Sequence, residues 1–395
     1  MAFGMSPFPL RFGSRGGGAV GASPLSATQL RSDLAAFGFA ITRSGSKHSQ
    51  TLDTGLSGVE GIGADTFTFE RVTIGNRDHL GLLVMPSATP LVSNSNNLSG
   101  WSTTGSPSVV YTASGGLNNA GYTTITGTGG AWTVSNALTS TSGNRTSRVR
   151  CFAPGSNAGA ITLSQDNGST TATVTEDSQD TIDRGVALTA QTSTNPTLQV
   201  AGSGTDTVII YDFQHGKPVS GVPAYKWHAP QAGSRAVVGA DLINKTYGDD
   251  LTDIDISILF KAPPTTNLRY VLAFNNFSAN ADPMIGIRSI SGNIGTYRGS
   301  GGVTTATIVS SFTPGQLYLL DMQANATHFR VRERGGSWQG LGAIPSGVRQ
   351  FLVGQLGTTV TLDVPIAAMQ DNNGNVFGSA GTWNAPALTD FEATL

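Results

Sequence analysis

LGLLVMPSATPLVSNSNNLSGWSTTG, residues 80–105, is the stretch on which the fold turns. Residues 82–84 are a short apolar run of strand character. Pro86 and Pro90 then punctuate an extended passage, and an Asn/Ser-rich loop carries the chain to Trp101. Beyond it Thr, Ser and Val begin a long alternation. Proline has no N–H to give to a ladder, so it closes one β unit before the next can start. Alternation with a period of two is the mark of half-buried strands. The stretch therefore reads as a junction between β units in an all-β chain.

Working downstream, residues 109–111, 122–125, 131–134, 147–153, 160–165, 170–175, 186–191 and 207–211 form short alternating runs. Their spacing of roughly 10–15 residues predicts a sandwich. Asn167-Gly168 lies between two of them and supplies the positive φ angles of a tight hairpin. Residues 214–235 hold three prolines and little alternation, and read as a linker or docking arm. From residue 236 the pattern returns, most clearly at 254–263, 270–274, 304–309, 313–320, 327–332 and 351–354.

Upstream, Ser26 and Gln29 have the spacing of a capping box, Leu30, Leu34 and Phe37 share a helical face, and Gly38 can close the end. Strand patterns resume at 39–41 and 66–72. Residues 1–21 mix aromatics with Pro, Arg and Gly and cannot build a core. Phe3, Met5, Phe8, Leu10 and Phe12, with Arg11 among them, would be a liability in water. They predict an anchor peptide docked on a neighbouring subunit, a frayed terminus being the plainer alternative.

The segment at 80–105 resembles the passage "GLLVEPARTNLL…NS…LSGW" of phage tail-fibre and spike proteins. Met85 stands in place of the usual Glu, and residues 87–90 replace the Ala-Arg-Thr-Asn run. In that family the segment leads into a jelly roll similar to carbohydrate-binding modules. The order of features after residue 236, including Thr313-Pro314-Gly315 ahead of Tyr318, resembles a concanavalin A-like sandwich.

The resemblance implies an all-β chain in five parts. They are an anchor arm with a short helix at 1–50, a small β region at 51–90, a jelly roll at 91–213, a linker at 214–235 and a concanavalin A-like sandwich at 236–395. It further implies a virion fibre or spike, of a phage or a gene transfer agent, assembled in the bacterial host cytoplasm. Such a protein would be a homo-oligomer (trimer or pentamer), held to other virion subunits by its N-terminus and binding host-cell surface glycan.

Composition agrees with such a chain and excludes several others. Charged residues are only 12% and glycines number 51, yet hydrophobic residues reach 38%, which favours sheet with tight turns over disorder. A net charge of −2 gives no basic footprint for nucleic acid and no polybasic membrane patch. The single cysteine, Cys151, excludes an intramolecular disulfide framework and reads as a small buried hydrophobe. No apolar run is long enough to span a membrane as a helix, and the N-terminus lacks the pattern of a signal peptide.

No catalytic constellation stands out. The five glutamates are scattered, and the five histidines lack metal-ligand spacing or a nucleophile partner. A non-enzyme is expected, with two alternatives: a capsule-degrading depolymerase whose carboxyl pair comes from distant segments, and an architectural subunit without ligand. A sugar site needs an aromatic platform with polar neighbours. Trp338, with Gln339, in one Gly-rich loop and Tyr297-Arg298 in another are the candidates. No cofactor is expected except a structural calcium at Asp371, Asn373 and Asn375, where oxygen ligands bunch beside a glycine. The acidic run Asp249–Asp255 reads more simply as turn and strand.

Overall fold

The computed structural model describes residues 22–395 except 54–57, 86, 88–91, 93–94, 138–145, 155, 166–169, 175–196, 217–239, 264–267, 277–283, 300–302, 341, 357–359 and 363. Within the described residues nearly all regular structure is antiparallel β, in two sandwiches.

The smaller sandwich faces a four-stranded sheet against a five-stranded one. The first runs Thr146–Phe152, Thr207–Gly216, Tyr122–Thr126, Ser108–Thr112; the second runs Thr170–Val174, Ile161–Gln165, Thr197–Ser203, Ala131–Ala137, Ser102–Thr104. Alternation decides what faces inward. Trp132 and Val134, Ile161 and Leu163, Leu198 and Val200, and Val208 and Ile210 meet in one core, with buried Cys151 among them. Trp101 packs on its margin against Phe213, ring centroids 5.4 Å apart. Gln165 pairs with Thr170, so the predicted hairpin exists, while its Asn167-Gly168 turn lies outside the described residues.

The larger sandwich has two eight-stranded sheets. One is ordered Ala40–Thr42, Leu242–Thr246, Gln350–Val353, Arg269–Asn275, Met284–Ile290, Asn293–Gly299, Val303–Thr304, with Thr307–Val309 also on Asn293–Gly299. The other is ordered Gln339–Gly340, Phe329–Glu333, Leu317–Asn325, Asp253–Lys261, Pro365–Asp371, Arg77–Leu83, Thr68–Ile74, with Gly381–Trp383 beside Pro365–Asp371. Phe274 and Phe351 stack in the core between them at 4.4 Å.

The stretch expected to stand as a small β region at 51–90 is built differently. Its strands Thr68–Ile74 and Arg77–Leu83 extend the second large sheet through Leu83 opposite Pro365 and Leu82 opposite Ile366. Alternation fixes which side chains turn inward but not which distant strand supplies the partner. Of the expected anchor arm, residues 1–21, and with them Phe3, Met5, Phe8, Leu10, Arg11 and Phe12, lie outside the described residues. The remainder packs on the larger sandwich: Ala27–Ala36 is a helix with the Ser26/Gln29 capping box formed, its Leu30 and Leu34 buried, and Ala40–Thr42 joins the first sheet. Gln214, His215 and Gly216, read as the start of a linker, continue a strand of the smaller sandwich, and 217–239 lie outside the described residues.

A second helix, Ala385–Glu392, lies on the outer face of the second large sheet. Its Ala387, Leu388 and Phe391 cover Val72, Ile74, Leu259, Leu319, Ala367 and Ala368. The buried Asn384 side chain ties its start down, donating to the carbonyls of Leu80 (2.9 Å) and Ala367 (2.6 Å). No helix among the described residues is long and apolar enough to cross a membrane.

Candidate functional site

The outer face of the sheet that carries this helix is divided in two. Successive side chains of a strand point to opposite faces, so Asp253, Asp255, Ser257 and Leu259 look outward from one strand. Their neighbours Ile254, Ile256 and Ile258 enter the core. On the adjacent strand the outward set is Leu319, Asp321, Gln323 and Asn325, and on the next it is Arg330 and Arg332. Leu259 and Leu319 lie under the helix. The rest form a polar groove along the strands.

Two adjoining depressions of about 190 and 310 Å³ make up this groove, with Asp255 and Gln323 lining both. Asp321, Arg332, Arg334, Trp338 and Asn372 line the first. Asp253, Asn325, His328, Arg330 and Asn373 line the second. From the Ser257–Asp321 row to the Asp253–Asn325 row is four residues, about 13 Å of strand.

Trp338 closes one side. The chain turns at Gly335 (φ +85°), a conformation that suits glycine, and brings the half-buried indole back over the sheet. The guanidinium carbons of Arg330 and Arg332 lie 4.6 and 4.4 Å from its ring centroid.

Hydrogen bonds hold the floor rigid. Gln323 donates to Asp255 Oδ2 at 2.9 Å and accepts from Arg330 Nε and Nη2 at 3.0 and 2.6 Å. Asn372 donates to Asp255 Oδ1 at 2.8 Å. Asp321 Oδ1 accepts from Ser257 Oγ (2.9 Å) and from Arg334 Nη2 (2.6 Å), and its Oδ2 accepts from Arg332 Nε (3.1 Å). Arg334 also pairs with Glu392 of the helix. Burial works against the Arg334 charge, but Asp321 and Glu392 together hold its pKa above the ordinary arginine value.

Of the residues singled out in the sequence, Trp338 lines this groove, and the exposed Gln339 follows it at the sheet edge. Tyr297 and Arg298 do not join them: they sit on Asn293–Gly299 of the opposite sheet. There Tyr297 packs edge-on against Tyr270 at 6.0 Å with Arg288 over its ring at 4.7 Å, and Arg298 donates to the Ala343 carbonyl at 2.9 Å.

At the expected calcium position, the Asp371 carboxylate is buried and accepts from the backbone N–H groups of Gly374 (3.0 Å), Val376 (2.8 Å) and Phe377 (2.6 Å). Asn373 Oδ1 accepts from the Asn375 amide at 3.1 Å. Backbone donors thus account for the shape of this loop. Among the described residues no group of three or more His, Cys, Asp or Glu side chains is gathered in one place.

The sequence reading missed Asp321, Gln323, Arg330, Arg332, Arg334 and Asn372 as site residues. The alternation Arg330-Val331-Arg332 beside Asp321-Met322-Gln323 was a usable signal, because it places four long polar groups outward on strands that turned out to be neighbours.

Models of known protein families give no match to the chain, and neither do curated proteins. Solved structures similar to it include a Ruminococcus gnavus IT-sialidase CBM40 bound to α2,3-sialyllactose. That similarity is 16% identity over 33% of this chain and 83% of the other, with a TM-score of 0.26. Domains LG4-5 of the mouse laminin α1 chain match at 12% identity over 58% and 82%, TM-score 0.25. The CBM22-1-CBM22-2 tandem of Paenibacillus barcinonensis Xyn10C matches at 13% over 72% and 99%, TM-score 0.25. Likenesses this slight carry no argument about what this chain binds. What the fold itself defines is a two-sandwich, all-β protein with a polar groove on one outer sheet.

Proposed function

We propose that this chain is a non-enzymatic glycan-binding protein that holds polysaccharide in the groove beside Trp338, and that it serves a phage or phage-like particle as an attachment subunit. The observation that carries the glycan reading is the indole set against a rigid ledge of Asp255, Asp321, Gln323 and Asn372. Sugars present C–H faces that stack on aromatic rings and hydroxyls that need donors and acceptors alike. The virion half of the reading rests on the resemblance at residues 80–105. Of the expected anchor arm, Ala27–Ala36 and Ala40–Thr42 pack on the larger sandwich instead.

One observation favours a depolymerase as a second reading: Asp255 and Asp321 line the same depression as diagonal neighbours, roughly 7–8 Å apart by sheet geometry. A general acid must carry a proton to donate. All four oxygens of this pair already accept hydrogen bonds from side-chain donors, which argues against that role.

The test is binding of the full chain to cell-surface polysaccharides by calorimetry, with wild type and Trp338→Ala compared. Loss of about tenfold or more in affinity, some 1.4 kcal/mol, with an unchanged melting curve supports the reading. Release of reducing ends would favour the depolymerase, and silence on every polysaccharide would favour a purely architectural subunit.

A further inference from the structure

The two ends of the groove leave different groups for a ligand. Midway along it Arg330, which lines the second depression and reaches over to the Trp338 ring, donates through Nε and Nη2 to Gln323, and at the Trp338 end Arg332 donates through Nε to Asp321. Neither guanidinium has another hydrogen bond among the described residues, so Nη1 of Arg330 and both Nη groups of Arg332 keep their donors. The Arg332 side chain is 34% exposed, open enough to be reached.

Charge is also uneven. Asp321 faces two arginines, and Arg334 has a second carboxylate in Glu392. Among the described residues the charge of Arg330 meets no carboxylate directly: Gln323 stands between it and Asp255, accepting from one and donating to the other. At the far end the acceptor on offer is exposed Asp253, since Oδ1 of Asn325 and Oδ1 of Asn373 already accept from backbone N–H groups of their own loops.

Spare guanidinium donors next to an aromatic ring suit one kind of sugar substituent. A carboxylate matches the planar fork of arginine and makes charge-assisted hydrogen bonds about twice as strong as neutral ones. We propose that the groove selects linear acidic polysaccharide. A carboxylate-bearing sugar lies beside Trp338 with its acidic group on Arg330 and Arg332, and the hydroxyls of the next sugar lie over Asp253 and Asp255. This deepens the glycan reading and depends on it.

The test uses the full chain and matched polymers: polygalacturonate, alginate and hyaluronate, each as the acid and after carboxyl reduction, with neutral glucans and mannans alongside. At least one acidic polymer should bind at least about tenfold more tightly than its reduced form, and more weakly as salt is raised. Arg330→Gln and Arg332→Gln should each narrow that ratio, and the double variant should remove it. Melting curves of the variants report whether the sheet is intact. Equal binding of acidic and reduced forms, binding of neutral polymers alone, or a preference that survives the double substitution would overturn the inference while leaving glycan binding in place. No binding to any polymer would overturn both.

Discussion

Arg43 donates to Asp241 Oδ1 at 3.0 Å across 198 positions of the chain, and neither side chain reaches solvent. The same carboxylate accepts from Lys47 Nζ at 3.2 Å and, through Oδ2, from the amide of Met85 at 2.8 Å. Arg43 also donates to Thr68 Oγ1 and the Gly63 carbonyl. One acid thus gathers Arg43, Lys47 and the Met85 backbone at the residue just ahead of the strand Leu242–Thr246. Asp241→Ala would leave the Arg43 guanidinium buried with no carboxylate. Breaking a buried pair in this way costs about 3–5 kcal/mol. Denaturant unfolding should show a loss of that order, and a change under about 1 kcal/mol would mean that the cluster is not a structural centre.

The same connectivity makes a prediction about fragments. Strands Thr68–Ile74 and Arg77–Leu83 complete the second large sheet and cover Ile366 and its neighbours. A fragment spanning residues 236–395 therefore exposes a sheet edge and part of the core, and should aggregate or lack a cooperative melt. A fragment that adds residues 22–85 in trans should restore the transition. A sharp melt of residues 236–395 alone would contradict the intertwined architecture.

Gly202 shows how tightly the smaller core is filled. A Cβ placed there would come within 2.4 Å of the Trp132 ring, which is itself fully buried. Gly202→Ala must therefore displace that tryptophan, and overpacking of this kind costs about 1–3 kcal/mol. Calorimetry should register a lower melting temperature, with Trp132 fluorescence shifted. An unchanged melt would mean that the ring moves freely.

Much of this architecture is legible in the residues. Trp132-Thr133-Val134 and Ile254–Phe260 declare their inward faces by alternation, and Ser26 with Gln29 marks a helix start that the structure keeps to the residue. What sequence could not give is partnership across long separations. Nothing local in residues 68–83 says that their strands end beside Pro365, nor that the buried Trp383 indole donates to the Leu30 carbonyl. The groove was half legible for the same reason. Trp338 stood out as an aromatic in a Gly-rich loop, whereas Tyr297 and Arg298 had the same local look and lie on the other sheet. The helix Ala385–Glu392 escaped notice because it is short and begins from Asn384 in a left-handed conformation (φ 58°) rather than from a side-chain cap.

That C-terminal helix carries a pH dependence. His79 lies beneath it, wholly buried, with Nε2 2.9 Å from Asp390 Oδ2; Arg77 reaches the same carboxylate at 3.2 Å. The other ring nitrogen, Nδ1, has no partner among the described residues. Protonating the imidazole therefore places an N–H in a buried site without an acceptor. Burial is the largest influence and lowers the His79 pKa from 6.5; Asp390 and Asp78 act in the opposite sense, and Arg77 adds to the lowering. The unfolded chain then takes up the proton at higher pH than the folded one. Stability should be level above pH 6.5 and fall as pH drops from 6.5 through the lower folded pKa. The urea midpoint followed over this range should decline, and His79→Gln should flatten that part of the profile. A midpoint that rises on acidification would mean that the attraction of Asp390 outweighs burial, and would reverse the sign of the linkage.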